Sequence, residues 1–323
     1  MRAKTLLICD KETEYARRLA EFISSRHEYT FRVHYCDDME TAQALAGKMT
    51  IDYALIDNRF PEEERKAVKA DRMFVLTEHP GEEAADAVPV FKYRSAPQIL
   101  KQVISTCLDD SQLTGCLQEG NRVRFICFYS PVGRLGRTSL ALSVGKELAR
   151  EDAVLYLNMC PHESCGRFEG IEADSLEEFV YFMRQEAPNP GLRLKNMTGN
   201  IDGMDVLLPF TMSEDLAEVE SEEWEMLLDV LEQDTSYGVV ILDPGESVRG
   251  LHGILGRCDE ILMPVLPDET MAKADAFVRE LKEHDEADVA EMIRRVNMEE
   301  NHGKLTHRLA HLIRAGRAGS GEL

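Results

Sequence analysis

Short apolar runs alternate with amphipathic stretches along most of the chain. Thr5–Cys9 is an apolar run of strand length, and Lys11–Ser25 repeats apolar residues at helical spacing through Tyr15, Leu19, Phe22 and Ile23. Phe31–Tyr35 alternates as a strand does, Met39–Gly47 has helical spacing, and Asp52–Ile56, Met73–Thr77 and Val88–Phe91 are further strands. A helix runs from Pro97 to about Leu108, with the proline in its first turn, where a missing N–H costs nothing. Strand–helix alternation with short links predicts a parallel, doubly wound sheet.

A second series begins at Val123. Val123–Tyr129 is a strand, Ser130–Gly136 a glycine-containing turn, Thr138–Arg150 a helix and Ala153–Leu157 a strand. Leu176–Gln185 is helical and Asp205–Leu208 a short strand. Glu222–Glu232 is an acidic helix with Trp224, Leu227, Leu228 and Leu231 on one face. Val239–Leu242 and Ile261–Val265 are strands, Glu269–Glu283 is a helix, and the last 35 residues are expected to be helical before a frayed glycine-rich tail. The fold class is therefore α/β, with two doubly wound parallel-sheet domains.

The length of 323 residues suits two domains. The expected division is residues 1–110, a polar linker at 111–122, and residues 123–323 with a C-terminal helical segment. No repeat of solenoid period is visible. Hydrophobic residues at 44% and charged residues at 30% are globular values and exclude global disorder.

Charge sharpens the picture. The formal net charge is −22, of which −4 falls on residues 1–110, −20 on 111–290 and +2 on 291–323. An acidic surface argues against a general nucleic-acid binder, because phosphates need basic neutralisation. The first apolar run is too short for a signal core or a membrane span. The eight cysteines form no CxxC pair, so they read as reduced core residues of a cytoplasmic protein.

Four consecutive strand ends in the first series carry polar residues: Asp10, Asp57, Thr77 and Lys92. Ligand sites form at such ends. The order and spacing resemble the receiver domain of two-component signalling, a flavodoxin-like fold. The resemblance implies Asp57 as phosphate acceptor, Asp10 as a Mg²⁺ ligand, Thr77 as the switch hydroxyl and Lys92 as the cation that offsets phosphate charge. The second acid expected beside Asp10 is replaced by Lys11, a cation that would repel Mg²⁺ or partly substitute for it. Tyr93 stands where the family usually has Pro. A receiver fold kept as an interaction module is the alternative to working phosphorylation.

The turn Ser130-Pro-Val-Gly-Arg-Leu-Gly-Arg-Thr-Ser139 follows a buried strand and opens a helix, the setting a phosphate loop requires. It resembles the deviant Walker A motif of the ParA/MinD ATPases, a P-loop NTPase-like fold. Gly133 and Gly136 are kept, and Thr138 and Ser139 match. Val132 replaces the signature Lys, Arg134 a Gly, and Arg137 the phosphate-binding Lys. The resemblance implies nucleotide contact through Gly133, Arg134, Leu135, Gly136, Arg137, Thr138 and Ser139. Asp243, at the end of a Walker B-like strand, would face magnesium together with Thr138. The strand Cys258–Pro267 would end near the adenine. The second-strand acids of the family are Asn158 and Cys160 here. Arginine does not replace a loop lysine simply, since its planar fork is bulkier. Phosphoryl transfer rests on positioning and charge, so the expectation is weak ATP and Mg²⁺ binding with slow or absent hydrolysis. A loop without nucleotide is the alternative.

A receiver-like domain joined to a degenerate ParA/MinD-like domain resembles the TadZ/CpaE proteins of tight-adherence (Flp) pilus assembly. That resemblance implies a localisation or scaffold protein, homodimeric through the ATPase-like domain, with other pilus-assembly proteins as partners and no specific nucleic acid. It would be cytoplasmic and recruited to the cell pole or the inner face of the membrane. An ATP-switched ATPase and a response regulator phosphorylated at Asp57 stay open as alternatives.

Three further features are weighed. Arg294, Arg295, Lys304, Arg308, Arg314 and Arg317 make the tail basic, with Leu305, Leu309, Leu312 and Ile313 at helical spacing. This is either a membrane-binding amphipathic helix or a terminal helix packed on its domain. His302, His307 and His311 include one i, i+4 pair, His307 and His311, with no third ligand evident, so a metal site is not expected. Glu214–Glu225 holds seven acids in twelve residues, a partner surface for a basic protein or a solvated helix start.

Overall fold

The computed structural model describes residues 4–25, 31–80, 82, 87–107, 122–161, 166–267, 270–284 and 286–316. The expected linker lies outside the described residues except for Arg122, as do Glu269 and Arg317. The chain divides into two compact units, 1–118 and 119–323.

The first unit contains β1 (Lys4–Cys9), α1 (Thr13–Ser24), β2 (Phe31–Cys36), α2 (Met39–Lys48), β3 (Ile51–Asp57), α3 (Glu62–Lys66), β4 (Ala70–Thr77), β5 (Val88–Phe91) and α4 (Ala96–Cys107). Its sheet has the order β2-β1-β3-β4-β5, parallel throughout. The central strands are apolar and covered on both faces, which is why they read as unbroken runs. The α1 face that packs inward is Ala16, Leu19, Ala20 and Ile23; Tyr15 and Phe22 are half-buried. The α2 helix is capped by Asp38, whose side chain accepts from the Thr41 N–H at 2.7 Å. Strand order reverses between β1 and β3, so Asp10 and Asp57 lie at the switch point.

The second unit contains β6 (Arg124–Phe128), α5 (Arg137–Leu148), β7 (Val154–Met159), α6 (Leu176–Arg184), α7 (Pro190–Met197), β8 (Gly199–Ile201), β9 (Met204–Leu207), α8 (Ser213–Ala217) and α9 (Ser221–Gln233). It continues with β10 (Val239–Pro244), α10 (Leu251–Gly256), β11 (Glu260–Val265), α11 (Met271–Glu283), α12 (Ala287–Met292), β12 (Ile293–Asn297) and α13 (His302–Ala315). The seven-stranded sheet runs β12-β11-β6-β10-β7-β9-β8, with β8 antiparallel at one edge and the rest parallel. The connection from β6 leads one way along the sheet and that from β10 the other. The ends of these adjacent strands therefore form the switch point.

Two apolar clusters cover the faces of this sheet. One includes Trp224, Leu227, Leu228 and Leu231 of α9 against β6, β7 and β10. The other joins α5 to α13 through Leu140, Val144, Leu305, Leu309 and Ile313.

The C-terminal stretch departs from the expected continuous helix. Ile293–Asn297 is a strand paired in parallel with β11, and alternate residues, Arg294 and Val296, are buried. The apolar residues Leu305, Leu309 and Ile313 of α13 are buried in the unit's core, so this face is covered rather than offered to a bilayer. Three of the tail's cations form ion pairs as well. Arg295 pairs with Asp275, Arg308 with Glu300 at 2.7 Å, and Arg314 with Glu151 at 3.1 Å. No described helix is long and apolar enough to cross a membrane. Cys9, Cys36, Cys127, Cys160 and Cys258 are buried thiols.

Candidate functional site

The glycine-containing turn links β6 to α5 at the switch point of the second unit. Ser130 fixes its start: the buried hydroxyl donates to the Pro264 carbonyl at 3.0 Å and accepts from the Val132 N–H at 3.3 Å. Gly136 caps α5 at φ 77°, a left-handed conformation that glycine adopts without a steric cost. Arg134 also sits at φ 64°, a conformation that is strained for a residue with a β-carbon. Gly133 and Arg134 are exposed, Leu135 and Ser139 half-buried, and Thr138 buried.

The turn opens onto a cavity of about 520 Å³, lined among others by Arg134, Arg137, Thr138, Cys160, Arg167 and Glu246. Backbone N–H groups at the start of a helix and three arginines make this an anion-binding chemistry.

Arg137 faces Asp243, at the end of β10. Its Nε lies 2.5 Å from Asp243 Oδ1, and its Nη2 lies 2.8 Å from Cys160 Sγ. The second Asp243 oxygen accepts from the buried Tyr156 hydroxyl at 2.8 Å. Asp243 itself has no exposed surface. Asn158 lies beside Asp243 in the β7–β10 register, and its side-chain oxygen accepts from the Cys160 N–H at 2.8 Å. Both carboxylate oxygens of Asp243 are thus already bonded to donors.

The first unit's strand ends hold a second cluster. Asp10, Asp57 and Lys92 have buried side chains, and Thr77 is buried beside them in sequence register, its carbonyl accepting from the Lys92 N–H at 2.9 Å. Lys92 Nζ lies 3.0 Å from Asp10 Oδ2 and 3.0 Å from Glu12 Oε1, over the face of Tyr15 at 4.8 Å. Arg59 lies across Asp57, with Nε 2.8 Å and Nη2 2.5 Å from Oδ2, and reaches Asp10 Oδ1 at 3.2 Å.

These contacts set the protonation of the cluster. Burial pushes the Asp10 carboxyl above the usual range, although the Glu12 N–H and Lys92 bond to it. Burial acts the same way on Asp57, but bonds from the Arg59 side chain and backbone outweigh it and hold that carboxyl below the usual range. The Lys92 contact lowers Glu12. Burial works against the Lys92 charge, yet Asp10 and Glu12 hold its pKa above the ordinary value.

Besides Lys92, the cation facing these acids is Arg59, not Lys11. Lys11 turns its ammonium to the Arg59 carbonyl at 2.9 Å and over the Phe60 ring, and only its backbone N–H reaches Asp57, at 3.3 Å. Arg59, Glu12, Tyr156 and Glu246 were not among the expected site residues. Arg59 has a local signal, since it stands two residues after the strand-end acid. Tyr156 has none, being one apolar-run residue among several.

The divalent ion implied by either resemblance does not fit the residues present. In the first unit, Asp10 and Asp57 accept N–H bonds on all four carboxylate oxygens from Lys92, Arg59, Lys11 and Glu12. In the second, Asp243 is divided between Arg137 and Tyr156. Mg²⁺ requires near-octahedral oxygen ligands, and guanidinium groups stand in these positions instead. Among the described residues no set of three or more His, Cys, Asp and Glu side chains is arranged to hold a metal ion.

No protein-family model and no curated protein matches the chain. Solved structures of similar outline include a ParA family ATPase, plasmid partition proteins and a MinC:MinD complex. A ParA family ATPase from Chlorobium tepidum shares 16% identity over 56% of this chain and 74% of its own, at a TM-score of 0.44. The MinC:MinD cell division complex of Aquifex aeolicus gives 14% identity, 61% and 74% coverage and a TM-score of 0.36. An ATP complex of the D38A form of McdA from Cyanothece gives 14%, 61% and 82%, and 0.38. Likenesses this remote leave the functional account to the residues themselves.

Proposed function

We propose that this chain is a localisation or scaffold protein of the TadZ/CpaE kind. In this reading its second unit binds a nucleotide weakly at Gly133–Ser139 and does not turn it over at an appreciable rate. The observation that carries the reading is the Arg137–Asp243 contact at 2.5 Å. Asp243 would have to face the metal in an ATPase, yet it is bonded to Arg137 and Tyr156. The neighbouring positions that could share the task, Asn158 and Cys160, carry no formal acid. Positioning and charge stabilisation, the two sources of phosphoryl-transfer catalysis, are both reduced. The arginine-lined cavity and the left-handed Gly136 support nucleotide binding itself.

Asp57 is left out of the proposed activity. An acyl-phosphate donor would have to displace Arg59 from a carboxylate that it contacts at 2.5 Å. The homodimer, the pilus-assembly partners and polar recruitment rest on the resemblance of the domain pairing. The acidity of the middle segment supports a protein-localising role over a DNA-partitioning one.

Calorimetric titration with ATP, paired with phosphate-release measurements, tests the reading. Binding without phosphate release supports it. Sustained release at rates typical of nucleotide-switched ATPases overturns it in favour of an ATP-driven switch.

A further inference from the structure

Arg137 uses two arms on two very different acceptors. Nε bonds the Asp243 carboxylate at 2.5 Å, a charge-assisted contact inside the sheet end. Nη2 bonds the Cys160 sulfur at 2.8 Å, and a thiol is a weak acceptor. Cys160 Sγ in turn lies 3.6 Å from the Asp243 carbonyl, in line with an S–H directed there. The same cavity wall carries Arg134 and Arg167, with Glu246 as its one other charged partner among the described lining residues.

Exchange of one acceptor is therefore easy and exchange of the other is not. A phosphate oxygen entering the cavity replaces the thiol at Nη2 with a far stronger acceptor. Nε keeps its bond to Asp243, so no buried carboxylate is left without a partner. A divalent ion beside the guanidinium would meet like charge at close range, and Asp243 could serve it only by losing Arg137.

Resting on the nucleotide-binding reading above, we propose that the Gly133–Ser139 loop takes a nucleotide polyphosphate as the free anion, without a divalent metal. The Arg137 guanidinium supplies the positive charge that a metal would otherwise bring, tethered by Asp243 and released from Cys160 on binding. Thr138 then serves as a hydroxyl donor to phosphate rather than as a metal ligand.

The test is calorimetric titration of the full chain with ATP, once in excess EDTA and once in excess MgCl₂. The two Kd values are expected to agree within about threefold. Binding at least about tenfold weaker in EDTA overturns this inference and leaves the nucleotide-binding reading standing. Absence of binding in both buffers overturns the reading itself.

The Cys160→Asp variant adds an independent arm. A carboxylate at that position competes with phosphate for Nη2, so ATP binding in EDTA is expected to weaken by about tenfold or more. Cys160→Ala removes the competing acceptor and is expected to bind at least as tightly as the parent chain. Equal affinities for Cys160→Asp and Cys160→Ala, with both variants melting cooperatively, overturn the exchange of acceptors.

Discussion

The Arg59 guanidinium covers the Asp57 carboxylate, with Nη2 at 2.5 Å and Nε at 2.8 Å from Oδ2, and Nε at 3.1 Å from Oδ1. The acid is fully buried while a third of the arginine side chain is exposed. The pair is thus neutralised from inside the chain, and it makes the first unit's stability depend on pH in a defined direction.

Asp57 has a folded pKa below its unfolded one, so it adds stability above about pH 4 that is lost as the pH falls through the folded value. Arg59→Gln removes the guanidinium charge and its two-armed contact and keeps the burial. The Asp57 carboxyl then moves upward, and the variant is expected to lose about 3 kcal/mol at neutral pH. That figure is the lower end for a broken buried pair, because Arg59 is partly solvated. The loss shrinks toward pH 4, where the bare carboxyl protonates. Urea unfolding at pH 7 and pH 4.5, with a carboxyl-carbon NMR titration of Asp57, measures both effects. Equal losses at the two pH values would refute the account.

The helix that follows the phosphate loop is held close to the sheet by a missing side chain. A β-carbon on Gly145 would lie 2.3 Å from Met204 Sδ and 2.9 Å from Ile241 Cδ1, both buried. Helix propensity alone predicts that Gly145→Ala stabilises α5 by up to about 1 kcal/mol. Overpacking costs about 1–3 kcal/mol and is expected to win, leaving a net loss of about 1 kcal/mol in chemical denaturation. A gain in stability would show that Met204 swings aside at no cost.

Sequence patterning reveals the central strands of both sheets because they are buried on both faces and so read as apolar runs; β3, with all seven residues buried, is the clearest. It misses the three-residue edge strand β8, and β12, where Arg294 and Arg295 interrupt the pattern. The buried Arg294 lies 3.9 Å from Glu260, on the neighbouring strand. The candidate acids and the loop were visible as residues at strand ends. Their occupants were not, since Arg137 meets Asp243 and Arg59 meets Asp10 only after the chain has folded across a sheet.

Glu260 carries its own pH signature. Burial raises its pKa against the pull of Arg294 and Arg124. The folded state therefore holds the proton more tightly than the unfolded chain. Stability falls as the pH rises from about 4.3, the unfolded value, through the folded value, and is level above it. Glu260→Gln removes that slope. The melting temperature of the variant relative to the parent is expected to rise between pH 4 and pH 7 and then to plateau. A difference that falls with pH would mean that the Arg294 contact outweighs the burial.

Arg134 joins backbone strain to a ligand contact. It holds φ 64° in the exposed turn, where a β-carbon costs about 1 kcal/mol relative to glycine, and its side chain lines the arginine-rich cavity. Such strain persists where the surroundings hold the residue for a purpose. Arg134→Gly is thus expected to act in opposite senses on two measurements. Urea unfolding should show a gain of up to about 1 kcal/mol, reduced by the entropy that glycine returns to the unfolded chain. Calorimetric titration should show ATP affinity falling by roughly tenfold, the loss of one charge-assisted bond at the rim of the cavity. Improved stability with unchanged affinity would mean that the arginine points to solvent in the bound state and that Arg137 and Arg167 carry the anion alone. Reduced stability would mean that the side chain, and not the loop backbone, holds the turn in its left-handed conformation.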